Sequence, residues 1–386
     1  MIAPEAFVAA LSAAGVRFAA GVPDSLLKQL CACIEAELPR ERHVIAANEG
    51  SAVGLAAGWH LATGEVPLVY LQNSGLGNTI NPLVSLADPD VYALPMLLVI
   101  GWRGEPDVKD EPQHRRQGAI TPALLDVLGV PTQVLGADLE TATTQLAGLL
   151  ATARARSGPV ALLVRKGAFS PYARVEPEAP RPTDTLPMTR EAAIGRVLEA
   201  LAQHAPEAVV VGTTGMPSRE LYEQRGLRGE ATADFYTVGS MGHASQIALG
   251  AALGRPDRRV VLLDGDGAWL MHLGGAATIA DLAPANLLHV VLDNAAHDSV
   301  GGQPTTSVGV RIDAVSRALG YPAATTVQDA AALDAALAEA LAPGAAAPTL
   351  LHVRVRRGNR KDLGRPRTSP RENKAGFERR LRGEAE

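Results

Sequence analysis

The sequence predicts an α/β fold with two doubly wound parallel-sheet domains. The chain has 386 residues, and domains average roughly 150 residues, so its length favours two domains. Hydrophobic residues make up 47% of the chain and charged residues 20%, which is the composition of a globular protein and not of a disordered one. Two regions also show the alternation of apolar strands and amphipathic helices that builds parallel sheets.

The first domain is predicted over residues 1–169. It opens with an amphipathic helix that carries Glu5, and from Val16 onward short apolar runs alternate with longer stretches of 3.6-residue periodicity. We predict strands at 66–71, 94–100 and 159–164, and helices at 50–63, 79–87, 118–128 and 138–155.

A change of composition separates this domain from a second one. Residues 170–188 are rich in Pro, Glu and Thr without periodicity and are predicted to form a linker. The second domain is predicted over residues 189–356, and we expect no third domain between the two. Its predicted strands are 208–213, 259–264, 287–292 and 349–355, and its predicted helices are 189–204, 243–253, 270–282 and 328–341.

The N-terminus and the cysteines bear on the compartment. The first residues carry no basic n-region, and no apolar run approaches the roughly 18 residues of a membrane span. Cys31 and Cys33 are two positions apart in a helical stretch and point away from each other, which disfavours a disulfide. We therefore expect a cytoplasmic protein, without a membrane partner, whose cysteines are buried small hydrophobic residues.

The C-terminal segment, residues 357–386, is strongly basic. From residue 354 onward there are 12 Lys or Arg against 5 Asp or Glu, although the net charge of the whole chain is −5. Phe377 is the only aromatic residue there, whereas nucleic-acid-binding arms interleave basic and stacking side chains. We expect a solvated tail or a segment that reaches an anionic ligand, and no nucleic-acid partner.

A metal and diphosphate site is indicated at the ends of two predicted strands of the second domain. One strand runs into Gly265, Asp266 and Gly267, and the next is followed by Asp293 and Asn294. Open α/β sheets bind ligands at the carboxyl ends of their strands. Glycines let a diphosphate approach the backbone, and carboxylate and amide oxygens are ligands that Mg²⁺ prefers. Most Gly-Asp-Gly triplets are simple turns, so the prediction depends on the second cluster.

These clusters resemble the thiamine diphosphate-dependent decarboxylase superfamily. In this chain 25 residues separate Gly267 from Asp293, which is the spacing of the superfamily fingerprint that joins Gly-Asp-Gly to Asn-Asn. The resemblance implies thiamine diphosphate and Mg²⁺ as cofactors, with Asp266, Asn294 and the backbone carbonyl of Ala296 as metal ligands. Asp293 departs from the usual first Asn. Because the ligand is normally the second Asn, we expect metal binding to survive the departure.

The first domain carries a second element of the same superfamily. Asn48, Glu49 and Gly50 lie where a predicted strand leads into a helix. The resemblance implies that Glu49 is catalytic and hydrogen-bonds N1′ of the aminopyrimidine, which makes the 4′-imino group basic enough to remove the C2 proton. The alternative is a glutamate that is favoured at a helix N-terminus by the helix dipole.

Further cofactor contacts and a dimer are implied in the same way. Met241 occupies the position of the bulky apolar residue that holds the cofactor in its bent shape, although a core methionine is the alternative. The remaining implied contacts are Asn73, Gly239, Gly265 and Gly267. The two domains would be the pyrimidine-binding and the diphosphate-binding domain. In the superfamily different subunits hold the two halves of the cofactor, so a homodimer is the expected minimum unit.

Five further segments bear on the substrate: Gly21–Lys28, Gln72–Asn78, Lys109–His114, Ala295–Gln303 and Asp362–Pro366. They are similar to the phosphonopyruvate and sulfopyruvate decarboxylase families in particular. This similarity implies non-oxidative decarboxylation of phosphonopyruvate to phosphonoacetaldehyde and CO₂, in phosphonate biosynthesis. Sulfopyruvate, or another 2-oxo acid of natural-product biosynthesis, is the alternative substrate.

A phosphonate or sulfonate substrate requires cationic side chains. The guanidinium fork suits tetrahedral oxyanions because it donates several hydrogen bonds at once. Arg360 and Arg365, in the basic C-terminal segment, are the first candidates for substrate binding. Arg103, Lys109 and Arg219 are second candidates.

Three side chains are predicted to carry protons during catalysis: Asp24, His114 and His297. Each is expected in a loop bounded by Gly or Pro at the end of a strand, and histidine titrates near neutrality. The alternative for each is a purely structural loop residue.

Three other classes of protein fit the sequence less well. A thiamine-dependent carboligase would be favoured by loss of the proton carriers, and a non-catalytic binding subunit by loss of Glu49 or Asp266. All of these residues are present. A dinucleotide-dependent oxidoreductase is disfavoured because no Gly-x-Gly-x-x-Gly follows the first strand of either predicted domain.

Overall fold

The computed structural model describes residues 1–173 and 181–384. The chain divides into two units, Met1–Glu178 and Ala179–Glu386. Residues 174–180 of the predicted linker lie outside the described residues, and Pro182–Thr185 forms a short 3-10 helix. Within the described ranges, no helix has both the length and the apolar character needed to cross a membrane.

The first unit contains a six-stranded sheet in the order β2-β1-β3-β4-β6-β5, with every pair of strands parallel. Its strands are β1 (Ala19–Gly21), β2 (His43–Ile45), β3 (Leu68–Gln72), β4 (Leu97–Gly101), β5 (Thr132–Val134) and β6 (Val160–Val164). Its helices are α1 (Pro4–Ala13), α2 (Lys28–Glu37), α3 (Glu49–Thr63), α4 (Leu76–Pro82), α5 (Pro112–Val127) and α6 (Leu139–Arg156).

The second unit contains a six-stranded parallel sheet in the order β11-β12-β10-β9-β7-β8. Its strands are β7 (Val209–Gly212), β8 (Phe235–Tyr236), β9 (Val260–Gly265), β10 (Leu287–Asp293), β11 (Ala323–Val327) and β12 (Thr349–Arg354). Its helices are α7 (Arg190–His204), α8 (Met216–Leu227), α9 (Ala244–Gly254), α10 (Asp266–Met271), α11 (Gly274–Leu282), α12 (Ile312–Ala318), α13 (Ala330–Leu341) and α14 (Pro370–Arg382).

The two sheets have the same topology, because the second order read from its other edge corresponds strand for strand to the first. In each unit the chain leaves two adjacent strands in opposite directions, which opens a crevice at their carboxyl ends. These strands are β1 and β3 in the first unit and β7 and β9 in the second. Two parallel, doubly wound sheets confirm the predicted fold class.

Each sheet is covered by helices on both faces, and its central strands are therefore buried and mostly apolar. Every residue of β4 and β6 is buried, and so is every residue of β10. Cys31 and Cys33 are free and buried in α2, as expected.

Several predicted boundaries were wrong, each for a local reason. Helix α5 begins at Pro112, six residues before the predicted start, because proline fits the first turn of a helix. The helix predicted at 270–282 is two helices, and the first of them begins at Asp266 itself. The predicted helix at 79–87 begins earlier and ends in a π-helical turn, Leu83–Ala87. The edge strands β5, β8 and β11 were missed because they are short or half-exposed.

The basic C-terminal segment is not a solvated tail, which was the first of the two alternatives expected for it. Ser369 caps helix α14 in a capping box with Glu372. Phe377 is buried and packs edge to face on Phe235, with ring centroids 5.3 Å apart. Asn373 donates a hydrogen bond to the Asp234 carbonyl at 2.6 Å. The helix therefore docks on the edge strand β8, with four of its five basic residues exposed and Arg380 half-buried.

We predict that Phe377→Ala lowers the free energy of unfolding by about 3 kcal/mol, because it leaves a cavity in a closed core. The measurement is urea unfolding followed by circular dichroism. Leu227→Ala, on an exposed helix end, is the control and should change stability by less than about 0.5 kcal/mol. Equal stability of Phe377→Ala and wild type would show that α14 is not docked in solution.

Candidate active site

Glu49 is the first residue of α3 and is buried, with 6% of its surface exposed. The Asn48 side chain caps the helix by accepting from the Gly50 amide at 2.8 Å, which fixes the turn that carries Glu49. Burial raises the pKa of Glu49, and a hydrogen bond from Asn78 to Oε2 at 2.7 Å opposes part of the shift. A methyl group on Gly75 would lie 2.3 Å from Oε1, so only glycine leaves room for the carboxyl group.

The two asparagines that follow β3, Asn73 and Asn78, have different surroundings. Asn73 is fully buried, donates to the Arg103 carbonyl at 2.8 Å and to Thr121 at 3.0 Å, and accepts from the Arg103 amide at 3.1 Å. Its side chain therefore bonds to its own unit, which argues against the predicted cofactor contact. Asn78 contacts Glu49 instead, and sequence reasoning did not single it out.

Asp24 lies just after β1, at the crevice of the first sheet, and is fully buried. Its Oδ2 accepts from the amides of Leu26 and Leu27 at 3.0 and 3.2 Å, while its Oδ1 has no hydrogen-bond partner. Burial raises the pKa of Asp24 from 3.8 to about 6. This carboxyl group, predicted as a proton carrier, thus titrates close to neutrality.

His114 and His297 do not have the near-neutral pKa that sequence reasoning assumed. His114 lies in the first turn of α5 and not in a loop, and burial together with the Arg103 charge lowers its pKa to about 4. His297 lies in the loop after β10, and burial lowers its pKa to about 4 as well. Both imidazoles are therefore neutral at pH 7. The His114 Nδ1 atom is buried without a hydrogen-bond partner, which marks it as available to a ligand.

The two polar clusters of the second unit meet at one edge of the sheet. The register pairs Leu292 with Gly265, so the residues that follow them, Asp293 and Asp266, lie side by side at the carboxyl ends of β10 and β9. The Thr305 hydroxyl donates to Asp266, and the Ser307 hydroxyl donates to Asp293 at 2.7 Å. Burial and the nearby Asp293 charge raise the pKa of Asp266 to about 7.

Asp293, the departure from the superfamily pattern, has its own partner. His352 on the neighbouring strand β12 lies with Nε2 2.8 Å from Asp293 Oδ2, and its Nδ1 is 3.0 Å from the Thr326 hydroxyl. Burial alone would raise the pKa of Asp293, but the bonds from His352 and Ser307 hold it below its usual value. The additional carboxylate is therefore stabilised within the unit, and sequence reasoning had no means of finding His352.

Met241, His297 and Gly267 are brought together. A Cβ on Gly267 would lie 3.1 Å from His297 Cε1 and 3.3 Å from Met241 Cε. The loop that carries Met241 depends on glycine: Gly239 and Gly242 have φ of 65° and 85°, and a Cβ on Gly242 would clash with the His272 ring. The predicted methionine thus lies over the Gly-Asp-Gly turn.

The residues fit a divalent metal and a diphosphate. Among the described residues no three His, Cys, Asp or Glu side chains cluster as a metal site, so a metal would depend on Asp266 with neutral amide and carbonyl oxygens and on the ligand itself. Asn294 and Ala296 lie in the turn after β10. A further candidate was missed: Thr213, at the end of β7, has a buried hydroxyl without a partner, and its Cγ2 would lie 3.7 Å from a Cβ on Gly265.

The basic residues predicted to bind the substrate differ in their ion pairs and in their exposure. Arg360 pairs with Glu191 at 3.1 Å, with Asp362 at 3.1 Å and with Glu223, so its charge is balanced inside the second unit. Arg103 is similarly engaged by Asp110, and Lys109 and Arg365 are exposed. Arg219, in the first turn of α8, is half-buried, and burial lowers its pKa.

Two family models match the chain. The model of the thiamine pyrophosphate enzyme N-terminal TPP binding domain matches residues 1–127. The model of the C-terminal TPP binding domain of the same enzymes matches residues 211–353. Thiamine pyrophosphate, or TPP, is another name for thiamine diphosphate. The matched ranges contain Glu49 in one case and Asp266 with Asn294 in the other.

Curated relatives extend over most of the chain. A phosphonopyruvate decarboxylase of Streptomyces viridochromogenes is 39% identical over 96% of this chain and 93% of the relative. A phosphonopyruvate decarboxylase of Streptomyces hygroscopicus is 38% identical over 96% and 92%. A sulfopyruvate decarboxylase of Methanosarcina acetivorans is 31% identical over 76% of each chain.

Two parallel sheets of one topology, with a buried glutamate at the carboxyl edge of one and a Gly-Asp-Gly turn at the carboxyl edge of the other, define a class of α/β proteins that bind a diphosphate cofactor. The two family models, one matching each half of the chain, identify which class of diphosphate-binding proteins this is. The chain belongs to the thiamine pyrophosphate enzyme family.

We predict that Asp24→Asn stabilises the protein more at pH 7 than at pH 4. Burial raises the pKa of Asp24 in the folded state to about 6. The contribution of this group to the free energy of unfolding is therefore fully present below about pH 3.8 and is lost as the pH rises through 6. The loss reaches about 3 kcal/mol at about 1.4 kcal/mol per pKa unit. Asparagine is neutral throughout and keeps an acceptor for Leu26 and Leu27.

The measurement is urea unfolding of both proteins at the two pH values. The difference in unfolding free energy, variant minus wild type, should grow by about 2 kcal/mol between pH 4 and pH 7. A difference that does not change with pH would mean that Asp24 has an ordinary pKa in the folded state.

Proposed function

We propose that this chain is a thiamine diphosphate- and Mg²⁺-dependent decarboxylase that converts phosphonopyruvate to phosphonoacetaldehyde and CO₂. The observation that carries the proposal is Glu49, a buried carboxyl group with a raised pKa at the carboxyl edge of the first sheet. Two phosphonopyruvate decarboxylases that are 38% and 39% identical to it over nearly the whole chain support the substrate.

The cofactor, when bound, supplies the electron sink that lets CO₂ leave a 2-oxo acid. Glu49 holds a proton for a ring nitrogen, which burial favours because it disfavours the carboxylate form. Asn78 fixes one oxygen of that group. Asp24 has a pKa of about 6 and exchanges protons near neutrality, while the neutral His114 and His297 orient substrate through their ring nitrogens.

Asp266, Asn294 and the Ala296 carbonyl would hold Mg²⁺ together with the diphosphate oxygens. Deprotonation of Asp266 favours metal binding, and the metal charge offsets the burial that otherwise raises its pKa. Gly265, Gly267 and Thr213 leave room and a free hydroxyl for the diphosphate. Met241 supports the cofactor from the loop above the Gly-Asp-Gly turn.

For the phosphonate group we propose Arg219 in place of Arg360. Arg360 is balanced by three carboxylates of its own unit, and displacing them would leave those carboxylates unpaired. Arg219 is half-buried near the carboxyl end of β7, where desolvation strengthens its attraction to a dianion. Sulfopyruvate is the second candidate substrate, supported by the sulfopyruvate decarboxylase that is 31% identical.

The experiment incubates purified protein, thiamine diphosphate and Mg²⁺ with phosphonopyruvate, sulfopyruvate and pyruvate in parallel, and follows CO₂ and aldehyde. We expect phosphonopyruvate to have the highest kcat/KM and Glu49→Gln to lose at least about a hundredfold, in the range of general acid–base effects. Equal rates on pyruvate would contradict recognition of an acidic substrate, and near-normal activity of Glu49→Gln would contradict thiamine chemistry.

We also propose a homodimer in which Glu49 of one copy and Asp266 of the other serve the same cofactor. Co-expression of Glu49→Gln and Asp266→Ala chains, each inactive alone, should restore about a quarter of wild-type activity, because half of randomly paired dimers contain one intact site of two. The control is the same pair of substitutions combined in one chain and co-expressed with itself. No recovery in the mixed dimer would contradict a shared site.

A further inference from the structure

We propose that Asp298 is a positioning residue that fixes the amide orientation of Asn294, so that the carbonyl oxygen and not the NH₂ group is presented to Mg²⁺. The inference rests on the proposed function, since it concerns the metal of that site. The juxtaposition that carries it is a buried chain of contacts from Arg190 through Asp298 to Asn294.

Each polar atom of the Asn294 side chain has a hydrogen-bond partner, and the two partners determine which position holds the nitrogen and which the oxygen. Nδ2 donates to Asp298 Oδ2 at 2.6 Å, and Oδ1 accepts from the Ala296 amide at 3.1 Å. A carboxylate accepts only, and a backbone N–H donates only. A rotation of the amide by half a turn would therefore set oxygen against carboxylate and NH₂ against N–H. The second lone pair of Oδ1 remains for a metal ion.

Asp298 is itself held in place by groups from distant parts of the chain. Its side chain is 7% exposed, and the same Oδ2 atom also accepts from Arg190 Nη1 at 3.0 Å and from the Gly358 amide at 3.0 Å. The three donors reach it from the start of α7, from the turn after β10 and from the segment after β12. A carboxylate with three donors on one oxygen has little freedom to rotate.

Arg190 completes the arrangement. It is 4% exposed, and its Nε and Nη2 atoms bind the two oxygens of Glu220 at 2.8 and 3.0 Å. The planar fork thus bridges two carboxylates, of which Asp298 alone touches Asn294. Glu220 pairs with the same Arg190 guanidinium but does not contact Asn294, the predicted Mg²⁺ ligand. It is therefore a matched control within the same network.

Outer groups of this kind orient the ligands of metal sites, and their loss typically reduces metal affinity 10- to 100-fold. Asp298→Ala removes the acceptor that distinguishes the two amide orientations. We expect the Mg²⁺ dissociation constant of the full-length protein to rise by about 10- to 100-fold at saturating thiamine diphosphate. Glu220→Ala should lower the unfolding temperature to a similar degree and leave the Mg²⁺ constant within about twofold of wild type.

The experiment titrates Mg²⁺ at fixed thiamine diphosphate and follows tryptophan fluorescence, because Trp269 lies on α10 three residues after Asp266. Unfolding temperatures are measured without metal on the same samples. Asp298→Asn keeps the volume and a carbonyl acceptor but loses the charge, so we expect its Mg²⁺ constant to lie between wild type and Asp298→Ala. It also serves as the test if the alanine variant does not fold.

Wild-type Mg²⁺ constants in the Asp298 variants, or an equal rise in Glu220→Ala, would overturn the proposal and leave the proposed function standing. Absence of Mg²⁺-dependent cofactor binding in the wild-type protein would overturn the proposed function, and this inference with it. A rise confined to the Asp298 variants supports the positioning role.

Discussion

Burial of carboxyl groups at the carboxyl ends of parallel strands is the constraint on which both candidate sites depend. Parallel sheets covered by helices bring the ends of their strands into crevices that exclude water, and a carboxylate there loses solvation. Each such group is therefore either neutralised by a proton or supported by donors. The four groups concerned are Asp24, Glu49, Asp266 and Asp293.

The partners decide which of these groups keep a proton. Asp293 has His352, Ser307 and a backbone amide as donors, and its pKa is low. The hydrogen bonds to Glu49 and Asp24 do not offset the loss of solvation on burial, and the pKa values of both groups are therefore raised. The structure thus separates Asp293, whose pKa is lowered, from Glu49 and Asp24, whose pKa values are raised, and perturbed carboxyl groups of the second kind are typical of acid–base sites. The pKa values of His114 and His297, in contrast, are lowered to about 4, so both imidazoles are neutral at pH 7.

The fold and the location of the candidate site could be predicted from the sequence because they depend on local signals. Apolar runs predicted the central strands, the residues after two of those runs predicted Asp266 and Asn294, and the Asn48-Glu49-Gly50 element predicted Glu49. The partners could not be predicted, since they come from distant segments: His352 from β12, Arg190 from the start of α7. Charge also misled sequence reasoning, because Arg360 and α14 are basic but are balanced or packed within their own unit.

The proposed activation of the cofactor by Glu49 is tested most directly, and without any substrate, by exchange of the thiamine C2 proton with deuterium. The exchange is followed by NMR after acid quenching of the holoenzyme in D₂O. We predict that wild-type protein accelerates the exchange by several orders of magnitude over free cofactor, and that Glu49→Gln binds the cofactor but returns the rate close to the free value. Fast exchange in the Glu49→Gln holoenzyme would contradict it.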